Sequence, residues 1–161
     1  MSNITKSEFY MGTALLAAKR SKDPKTKVGV CIVDPDGIIL STGYNGFPKG
    51  ISDYEYNWTK IPDEFGAVKH DYVVHAEINA ILNAGGKSLK GATLYTTLFP
   101  CKECTKAIIQ AGIKHVIYLK NTDSERFKTD FSKMLFNKVG INYEQFVIDP
   151  FETEIVLSFI D

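Results

Sequence analysis

Two hydrophobic patterns alternate along the chain and together predict a mixed α/β fold. Continuous aliphatic and β-branched runs between turn residues are typical of buried strands, and apolar residues three or four apart are typical of helices. The predicted strands are residues 28–33, 38–44, 92–98, 115–119 and 141–146. The predicted helices are residues 6–20, 76–84, 101–112 and 125–139. A hairpin followed by alternating helices and strands favours one mixed sheet covered by helices, in a single domain of residues 1–161.

Local signals indicate where the first helix begins and which helix faces point inward. Thr5 and Glu8 match a capping box, in which a threonine precedes a glutamate by three positions. We expect the first helix to pack through a face formed by Phe9, Thr13, Leu16 and Ala17. We expect the last helix to pack through Phe127, Phe131, Met134, Leu135 and Val139.

Residues 45–74 form a long, aromatic and irregular connection that contains the only tryptophan, Trp58. Connections of this length inside compact domains are usually lids or binding loops. A lid, a subunit interface and a surface excursion that packs on itself are the three alternatives. Residues 153–159, after Pro150, form either a further strand or a packed tail.

The charge balance limits the classes of partner. The chain has 19 basic and 19 acidic residues, so its net charge is zero, which argues against a protein that holds long DNA or RNA. A basic cluster in residues 19–27 remains available for a small phosphorylated ligand. We see neither an apolar run of about 18 residues nor a signal peptide, and the odd cysteine count indicates a reducing compartment. We therefore expect a cytoplasmic protein.

The sequence PCKEC, residues 100–104, places two cysteines where a helix is predicted to begin. Cys101 and Cys104 share one face of the first turn, where unpaired N–H groups and the helix dipole favour thiolates. Two adjacent thiolates make half of a zinc site. A redox pair and a structural zinc site are the alternatives, although no second Cys-x-x-Cys is present. Cys31 lies in a strand-like run, and we expect it to be a small buried hydrophobe.

His75 begins the preceding predicted helix and supplies a third candidate ligand. One histidine and two thiolates leave the fourth tetrahedral position for water, which is typical of a catalytic rather than a structural zinc. Glu77, two residues later, is the candidate proton carrier. The alternatives are a helix-capping His75 and a Glu77 that is simply favoured by the helix dipole.

Four segments in this order carry a resemblance to a known family: RSKDPKTKVGVCIV, GYNGFPKG, HAEINAI and LFPCKECTKAIIQAGIKHVIY. The pattern H-x-E…P-C-x-x-C is the signature of zinc nucleobase deaminases. With SKDP and GYNG-x-P added, the chain resembles the deoxycytidylate (dCMP) deaminases of the cytidine/deoxycytidylate deaminase superfamily.

That resemblance implies both a fold and a reaction. The fold is a three-layer α/β/α sandwich with a mixed five-stranded sheet, of the cytidine deaminase type. The reaction is the hydrolysis of dCMP to dUMP and ammonia, which supplies dUMP for thymidylate synthesis. His75, Cys101 and Cys104 would bind one catalytic Zn²⁺, and Glu77 would carry protons between water and the base.

The resemblance also implies substrate contacts. Asn45 would bind the 3′-hydroxyl of the sugar, and the backbone of Ala76 would lie beside the base. The basic cluster Arg20, Ser21 and Lys22 is the candidate for the 5′-phosphate, with Tyr118 as a weaker candidate.

Regulation and assembly are implied as well. Activation by dCTP with Mg²⁺, inhibition by dTTP, and a homo-oligomer, namely a hexamer, are expected from the resemblance. The glycine-rich segment after the second strand resembles an effector site, with Tyr44, Gly46 and Lys49 as candidates. Backbone N–H groups in such segments can bind phosphates.

Four other functions remain as alternatives. A free-nucleoside cytidine deaminase usually has a cysteine in place of His75, so His75 disfavours it. A bifunctional dCMP/dCTP deaminase would share every motif. A tRNA adenosine deaminase shares the zinc motifs but needs a basic surface, which the neutral charge balance disfavours. A binding module with a structural zinc would need a fourth protein ligand, for which His70 and His115 are the remaining histidines.

Overall fold

A computed structural model describes residues 3–54, 58–59, 61–122 and 128–147. Its helices are α1 (Lys6–Lys19), α2 (Lys69–Tyr72), α3 (Ala76–Asn83), α4 (Lys102–Gln110) and α5 (Thr129–Val139). Its strands are β1 (Gly29–Val33), β2 (Ile39–Tyr44), β3 (Thr93–Leu98), β4 (His115–Lys120) and β5 (Asn142–Gln145). These positions confirm the predicted elements within the described residues, and the short α2 is an addition inside residues 45–74. Residues 125–127, the predicted start of the last helix, lie outside the described residues. The predicted strand or tail at residues 153–159 lies outside the described residues.

The five strands form one mixed sheet in the order β2-β1-β3-β4-β5. Strand β1 pairs antiparallel with both β2 and the central strand β3, while β3, β4 and β5 run parallel. The β1–β2 pair is the predicted hairpin. The parallel half requires crossover helices, and α4 and α5 supply them.

Strand alternation divides the core between the two faces of the sheet. Val30 and Ile32 pack with the layer of α3, α4 and α5. Cys31 and Val33 point to the opposite face and pack against α1. The α/β/α sandwich is therefore confirmed. Cys31 is fully buried, and burial raises its pKa to about 12, so it is the inert hydrophobe that was expected.

Two glycines bring helices unusually close to the sheet. A Cβ on Gly29 would lie 2.0 Å from the Ala14 carbonyl oxygen of α1. A Cβ on Gly43 would lie 2.4 Å from the Ala76 carbonyl oxygen and 2.4 Å from the Ala80 nitrogen of α3. The hairpin thus positions α3, whose first turn carries the candidate active-site residues.

The predicted inward faces of two helices were wrong in part. The face that α1 buries consists of Tyr10, Met11, Ala14, Ala17 and Ala18. Phe9 and Leu16 are 51% and 53% exposed, because α1 meets Gly29 closely through Ala14 and Ala18, and this contact turns the opposite side of the helix outward.

The predicted inward face of α5 was also wrong. The helix buries Thr129, Ser132 and Phe136. Phe131, Met134 and Val139 are exposed, Leu135 is half-buried, and Phe127 lies outside the described residues. Apolar residues cover two adjacent faces of each helix. Their spacing alone therefore does not determine which face meets the sheet.

The connection from residue 45 to residue 74 is closed at its base. Gly46 and Val74 exchange two backbone hydrogen bonds, with N···O distances of 3.1 and 2.9 Å. Above this bridge Phe47 stacks on Trp58, with ring centroids 4.2 Å apart. The segment therefore packs partly on itself, and a role as lid or interface stays a prediction. In the described ranges, every helix is too short or too polar to cross a membrane.

Candidate active site

The three predicted ligands meet where two helices begin. His75 is the N-cap residue of α3, Cys101 is the N-cap residue of α4, and Cys104 lies in the first turn of α4. The Nδ1 atom of His75 lies 3.4 Å from the Cys101 sulfur and 3.3 Å from the Cys104 sulfur. All three ligand atoms lie within 4.8 Å of one another. The structure therefore brings together side chains that are up to 29 positions apart.

This spacing fits a tetrahedral zinc ion. Zinc–sulfur bonds of about 2.3 Å and zinc–nitrogen bonds of about 2.0 Å give a nitrogen–sulfur edge of about 3.5 Å in a tetrahedron. The two observed edges are 3.4 and 3.3 Å. Within the described ranges, no fourth histidine, cysteine or carboxylate completes the cluster. His115 instead pairs with Glu144 at 3.2 Å across the parallel strands β4 and β5.

The charges of the cluster also favour a cation. A hydrogen bond from Cys104 lowers the pKa of Cys101 to about 4, with a further contribution from His75. The hydrogen bond to Cys101, burial and the nearby Glu77 raise the pKa of Cys104. The ionisation of any one of these three acidic groups therefore disfavours the ionisation of the other two. A divalent cation would stabilise both thiolates.

Glu77 lies beside the ligands in the first turn of α3 and is 4% exposed. Its Oε2 atom is 3.4 Å from the Cys104 sulfur. Burial raises the pKa of Glu77, so the carboxyl group holds a proton more readily than it would in water. The side chains of His75 and Glu77 both reach this cavity. They can do so because His75 is the N-cap residue, with an extended backbone, and only Glu77 lies within the helix.

An open pocket of about 560 Å³ lies in front of these residues. Its lining combines apolar and polar side chains: Asp23, Thr26, Val28, Asn45, Lys69, His70, Val73, His75, Ala76, Glu77, Leu98, Phe99 and Cys101. The two predicted substrate residues Asn45 and Ala76 are among them.

The orientation of the Asn45 carboxamide follows from its partners. The Val28 N–H, which can only donate, lies 2.8 Å from Oδ1 of Asn45. The Thr26 carbonyl, which can only accept, lies 2.9 Å from Nδ2. The oxygen keeps a second lone pair, so Asn45 can accept one more hydrogen bond from a ligand.

The other predicted substrate residues lie outside the pocket lining of the described chain. Arg20 and Lys22 are exposed, and Lys22 forms an ion pair with Asp53 at 2.6 Å. Ser21 is buried, and its hydroxyl group donates a hydrogen bond to the backbone carbonyl of Asn45 at 2.8 Å. Tyr118 is half-buried and contacts the pocket residue Phe99 edge-on, with ring centroids 4.7 Å apart. Their phosphate role stays a prediction.

The three effector candidates also lie outside this lining in the described structure. Tyr44 is 37% exposed, and its carbonyl accepts a hydrogen bond from Asn79 of α3 at 2.8 Å. The N–H of Gly46 donates to Val74, and Lys49 is exposed. An effector function for them stays a prediction.

Sequence reasoning missed four polar residues of the pocket: Asp23, Thr26, Lys69 and His70. Asp23 lies within the basic cluster of residues 19–27, and the sequence does not show that this one acidic side chain is buried. Lys69 and His70 lie at the end of the irregular segment 45–74, where hydrophobic periodicity gives no information.

Comparison with known proteins agrees with this geometry. Residues 4–120 match the family described as the cytidine and deoxycytidylate deaminase zinc-binding region. A probable deoxycytidylate deaminase of Drosophila melanogaster is 47% identical and covers 94% of this chain and 76% of its own length. The human deoxycytidylate deaminase is 41% identical and covers 94% of this chain and 84% of its own length.

A solved structure provides a third comparison. The dCMP deaminase of cyanophage S-TIM5, crystallised with dCMP and dUMP, is 32% identical to this chain, with a TM-score of 0.71. The match covers 91% of this chain and 100% of the phage chain. Sequence, fold and the His-Cys-Cys cluster with its buried glutamate therefore agree, and the chain belongs to the zinc-binding cytidine and deoxycytidylate deaminase family.

Proposed function

We propose that this chain hydrolyses dCMP to dUMP and ammonia. The observation that carries the proposal is the buried Glu77 carboxyl group beside the His75, Cys101 and Cys104 cluster, at the wall of an open pocket. Relatives named deoxycytidylate deaminase share 41–47% identity over most of the chain, which supports dCMP as the substrate.

The ligand set determines what a bound metal would contribute. A zinc ion held by Nδ1 of His75 and the two thiolates would lower the pKa of a bound water to about 7 and so supply a nucleophile at neutral pH. The donor set of one nitrogen and two sulfurs, with room for one further ligand, matches catalytic zinc sites.

Glu77 would manage the protons of the reaction. Hydrolysis forms a C4–O bond and breaks the C4–N bond of cytosine. The carboxylate of Glu77 takes a proton from water, holds it because burial raises the pKa of Glu77, and delivers it to N3 of the base. The hydroxyl group formed at C4 gives up a second proton, which the same carboxylate carries to the 4-amino group. The C4–N bond then breaks, ammonia leaves and the C4 carbonyl of uracil forms.

Pocket residues would hold the nucleotide in place. The apolar side chains of Leu98 and Phe99 and the backbone of Ala76 border the space for the base. The remaining lone pair on Oδ1 of Asn45 can accept a hydrogen bond from the 3′-hydroxyl of the sugar. Arg20, Ser21 and Lys22, with Tyr118 as a weaker candidate, are the proposed contacts for the 5′-phosphate.

Regulation, assembly and cellular role are further parts of the proposal. We infer that dCTP with Mg²⁺ activates and dTTP inhibits through Tyr44, Gly46 and Lys49, in a cytoplasmic hexamer that supplies dUMP for thymidylate synthesis. The hydrogen bond between Tyr44 and Asn79 supports this, because it links the effector candidates to the helix that carries Glu77. Rates at low dCMP with each effector, and sedimentation of the protein, would test these parts.

A substrate panel tests the proposal against its alternatives. Zinc-loaded protein is given dCMP, dCTP, deoxycytidine and a tRNA anticodon stem, and ammonia release is measured. We expect dCMP to react with the highest kcat/KM. Equal rates on dCMP and dCTP would indicate the bifunctional enzyme, and equal rates on deoxycytidine would contradict the phosphate contacts. Reaction with the tRNA stem alone would overturn the proposal.

A further inference from the structure

A buried ion pair joins two distant segments at the wall of the pocket. The Nζ atom of Lys69 lies 2.7 Å from Oδ1 and 2.6 Å from Oδ2 of Asp23. Asp23 is 2% exposed and Lys69 is 6% exposed. The Lys69 ammonium also lies 6.0 Å from the ring centroid of Trp58. Because burying both charges has a large desolvation cost, the pair is more than an incidental surface contact.

Asp23 organises the residues around Asn45. Its Oδ1 atom accepts hydrogen bonds from the backbone N–H groups of Lys25 at 2.9 Å and Thr26 at 3.1 Å. Its Oδ2 atom lies 3.4 Å from Nδ2 of Asn45. The turn that Asp23 forms also presents the Thr26 carbonyl, which accepts the shorter bond from the same Nδ2 at 2.9 Å.

We propose that the Asp23–Lys69 pair is a positioning device that fixes the Asn45 carboxamide with its oxygen available to a hydroxyl-bearing ligand. Both partners of Nδ2 depend on Asp23, directly or through its turn. If the carboxylate were replaced by an amide, position 23 could also donate, and the preference for one orientation of the Asn45 carboxamide would weaken. Lys69 orients the carboxylate and attaches the segment 45–74 to the same point.

Independent observations support this reading. Burial alone would raise the pKa of Asp23, but the hydrogen bonds from Lys69 and the backbone lower it, so the group is an acceptor at neutral pH. A second ion pair, Lys22–Asp53, joins the same two segments, yet its side chains are 59% and 27% exposed. The buried Asp23–Lys69 pair, which contacts Asn45, can thus be compared directly with the exposed Lys22–Asp53 pair.

The test uses two nucleotides that differ in one hydroxyl group. It rests on the proposed function, since it compares dCMP with 2′,3′-dideoxycytidine 5′-monophosphate as substrates of the zinc-loaded protein. The readout is the ratio of the two kcat/KM values. For the wild type we expect a ratio of roughly ten or more, since one hydrogen bond in such a site is worth about that factor. Asn45→Ala should bring the ratio close to one.

The positioning role predicts that Asp23→Asn also brings the ratio close to one, mainly by raising KM for dCMP. The matched control Asp53→Asn should keep the wild-type ratio. A general loss of structure would reduce both rates together and leave the ratio unchanged, so the ratio distinguishes positioning from stability. Thermal melting and zinc content are measured on each variant.

The outcomes separate the inference from the proposed function. No reaction of wild type with dCMP would overturn both. A wild-type ratio near one would exclude the sugar contact of Asn45 and with it the inference. A lowered ratio in Asn45→Ala with a wild-type ratio in Asp23→Asn would overturn the inference alone. If Asp23→Asn does not fold, Lys69→Gln takes its place: a lowered ratio supports the pair, and an unchanged ratio overturns it.

Discussion

The Glu77 carboxyl group lies 3.4 Å from the Cys104 sulfur, although the two residues are 27 positions apart and begin different helices. This contact places the proposed proton carrier against the proposed metal ligand. It depends on α3 and α4 directing their N-termini to one point, where their dipoles favour negative charge. The candidate active site is therefore a product of helix packing on the sheet, and the predictions below depend on that packing.

Replacing Glu77 with glutamine should keep the metal and remove turnover. The amide has nearly the same shape but cannot carry protons, so we expect kcat to fall by about 10² to 10⁴-fold or more. Ammonia release from dCMP and zinc content per chain are the measurements.

Glu103→Gln is the matched control for this variant. Like Glu77 in α3, Glu103 lies in the first turn of its helix, α4. Its side chain, however, is 61% exposed and pairs with Lys106. We expect wild-type turnover from it. A Glu77→Gln variant that binds zinc and still turns over would remove Glu77 from the mechanism.

Replacing a ligand cysteine should remove zinc, whereas replacing the third cysteine should not. Cys104→Ser exchanges a thiolate for a poorer ligand, and we expect it to lose most of its zinc on dialysis. Cys31→Ala changes only a buried hydrophobe on the other face of the sheet, with a cost on the order of 1 kcal/mol. Zinc retained by Cys104→Ser, or lost by Cys31→Ala, would place the metal elsewhere.

Adding one methyl group at Gly43 should displace the active-site helix. The new Cβ would lie 2.4 Å from backbone atoms of Ala76 and Ala80, and backbone cannot rotate away. We expect Gly43→Ala to cost about 1–3 kcal/mol of unfolding free energy. Because Ala76 precedes Glu77, kcat should fall as well.

Gly12→Ala controls for the loss of a glycine, because a Cβ at Gly12 in α1 meets nothing within 4 Å. It should be neutral or stabilise the helix by roughly 0.5–1 kcal/mol. Urea unfolding and dCMP turnover are compared for both variants. Wild-type stability in Gly43→Ala would show that α3 tolerates a wider separation from the hairpin.

The buried ion pair predicts a pH-dependent stability difference. Asp23→Asn leaves Lys69 without its counter-charge, and we expect a loss of about 3 kcal/mol at pH 7. Although burial opposes it, hydrogen bonding lowers the pKa of Asp23 in the folded protein. Because the pKa is lower in the folded protein, ionised Asp23 stabilises the fold at pH values above about 3.9, the pKa of an aspartate in the unfolded chain. This contribution disappears as the pH falls through the pKa of Asp23 in the folded protein.

Urea unfolding at several pH values measures that difference. The gap between wild type and Asp23→Asn should be constant from about pH 7 to pH 5 and should shrink only below about pH 4. The exposed pair gives the comparison, since Asp53→Asn should cost much less than Asp23→Asn. A gap that stays constant through the acid range would mean that the Asp23 charge does not stabilise the fold.

The sequence predicted the sheet and the metal cluster because both follow from local patterns. Strand runs such as residues 28–33 are unambiguous, and a Cys-x-x-Cys at a helix start places two ligands by geometry alone. The inward face of α1 was predicted only in part, because the close contact of Ala14 and Ala18 with Gly29 orients the helix and leaves Phe9 and Leu16 exposed. Periodicity does not contain that information.

The pocket wall was also missed, for a different reason. Lys69 lies near the end of the irregular segment 45–74, 46 positions from Asp23, and no spacing rule relates the two positions. The charge cluster at Arg20 to Lys22 was visible in the sequence. The burial of the neighbouring Asp23 could not be predicted, because composition does not show which charged residues of a cluster are buried.

The metal centre itself is tested most directly by X-ray absorption at the zinc edge on active protein. We predict two sulfur ligands at about 2.3 Å, one imidazole and one further oxygen ligand, from one zinc per chain. Two imidazoles or a third sulfur would mean that protein side chains fill the fourth position. That result would contradict a water-binding, catalytic zinc held by His75, Cys101 and Cys104.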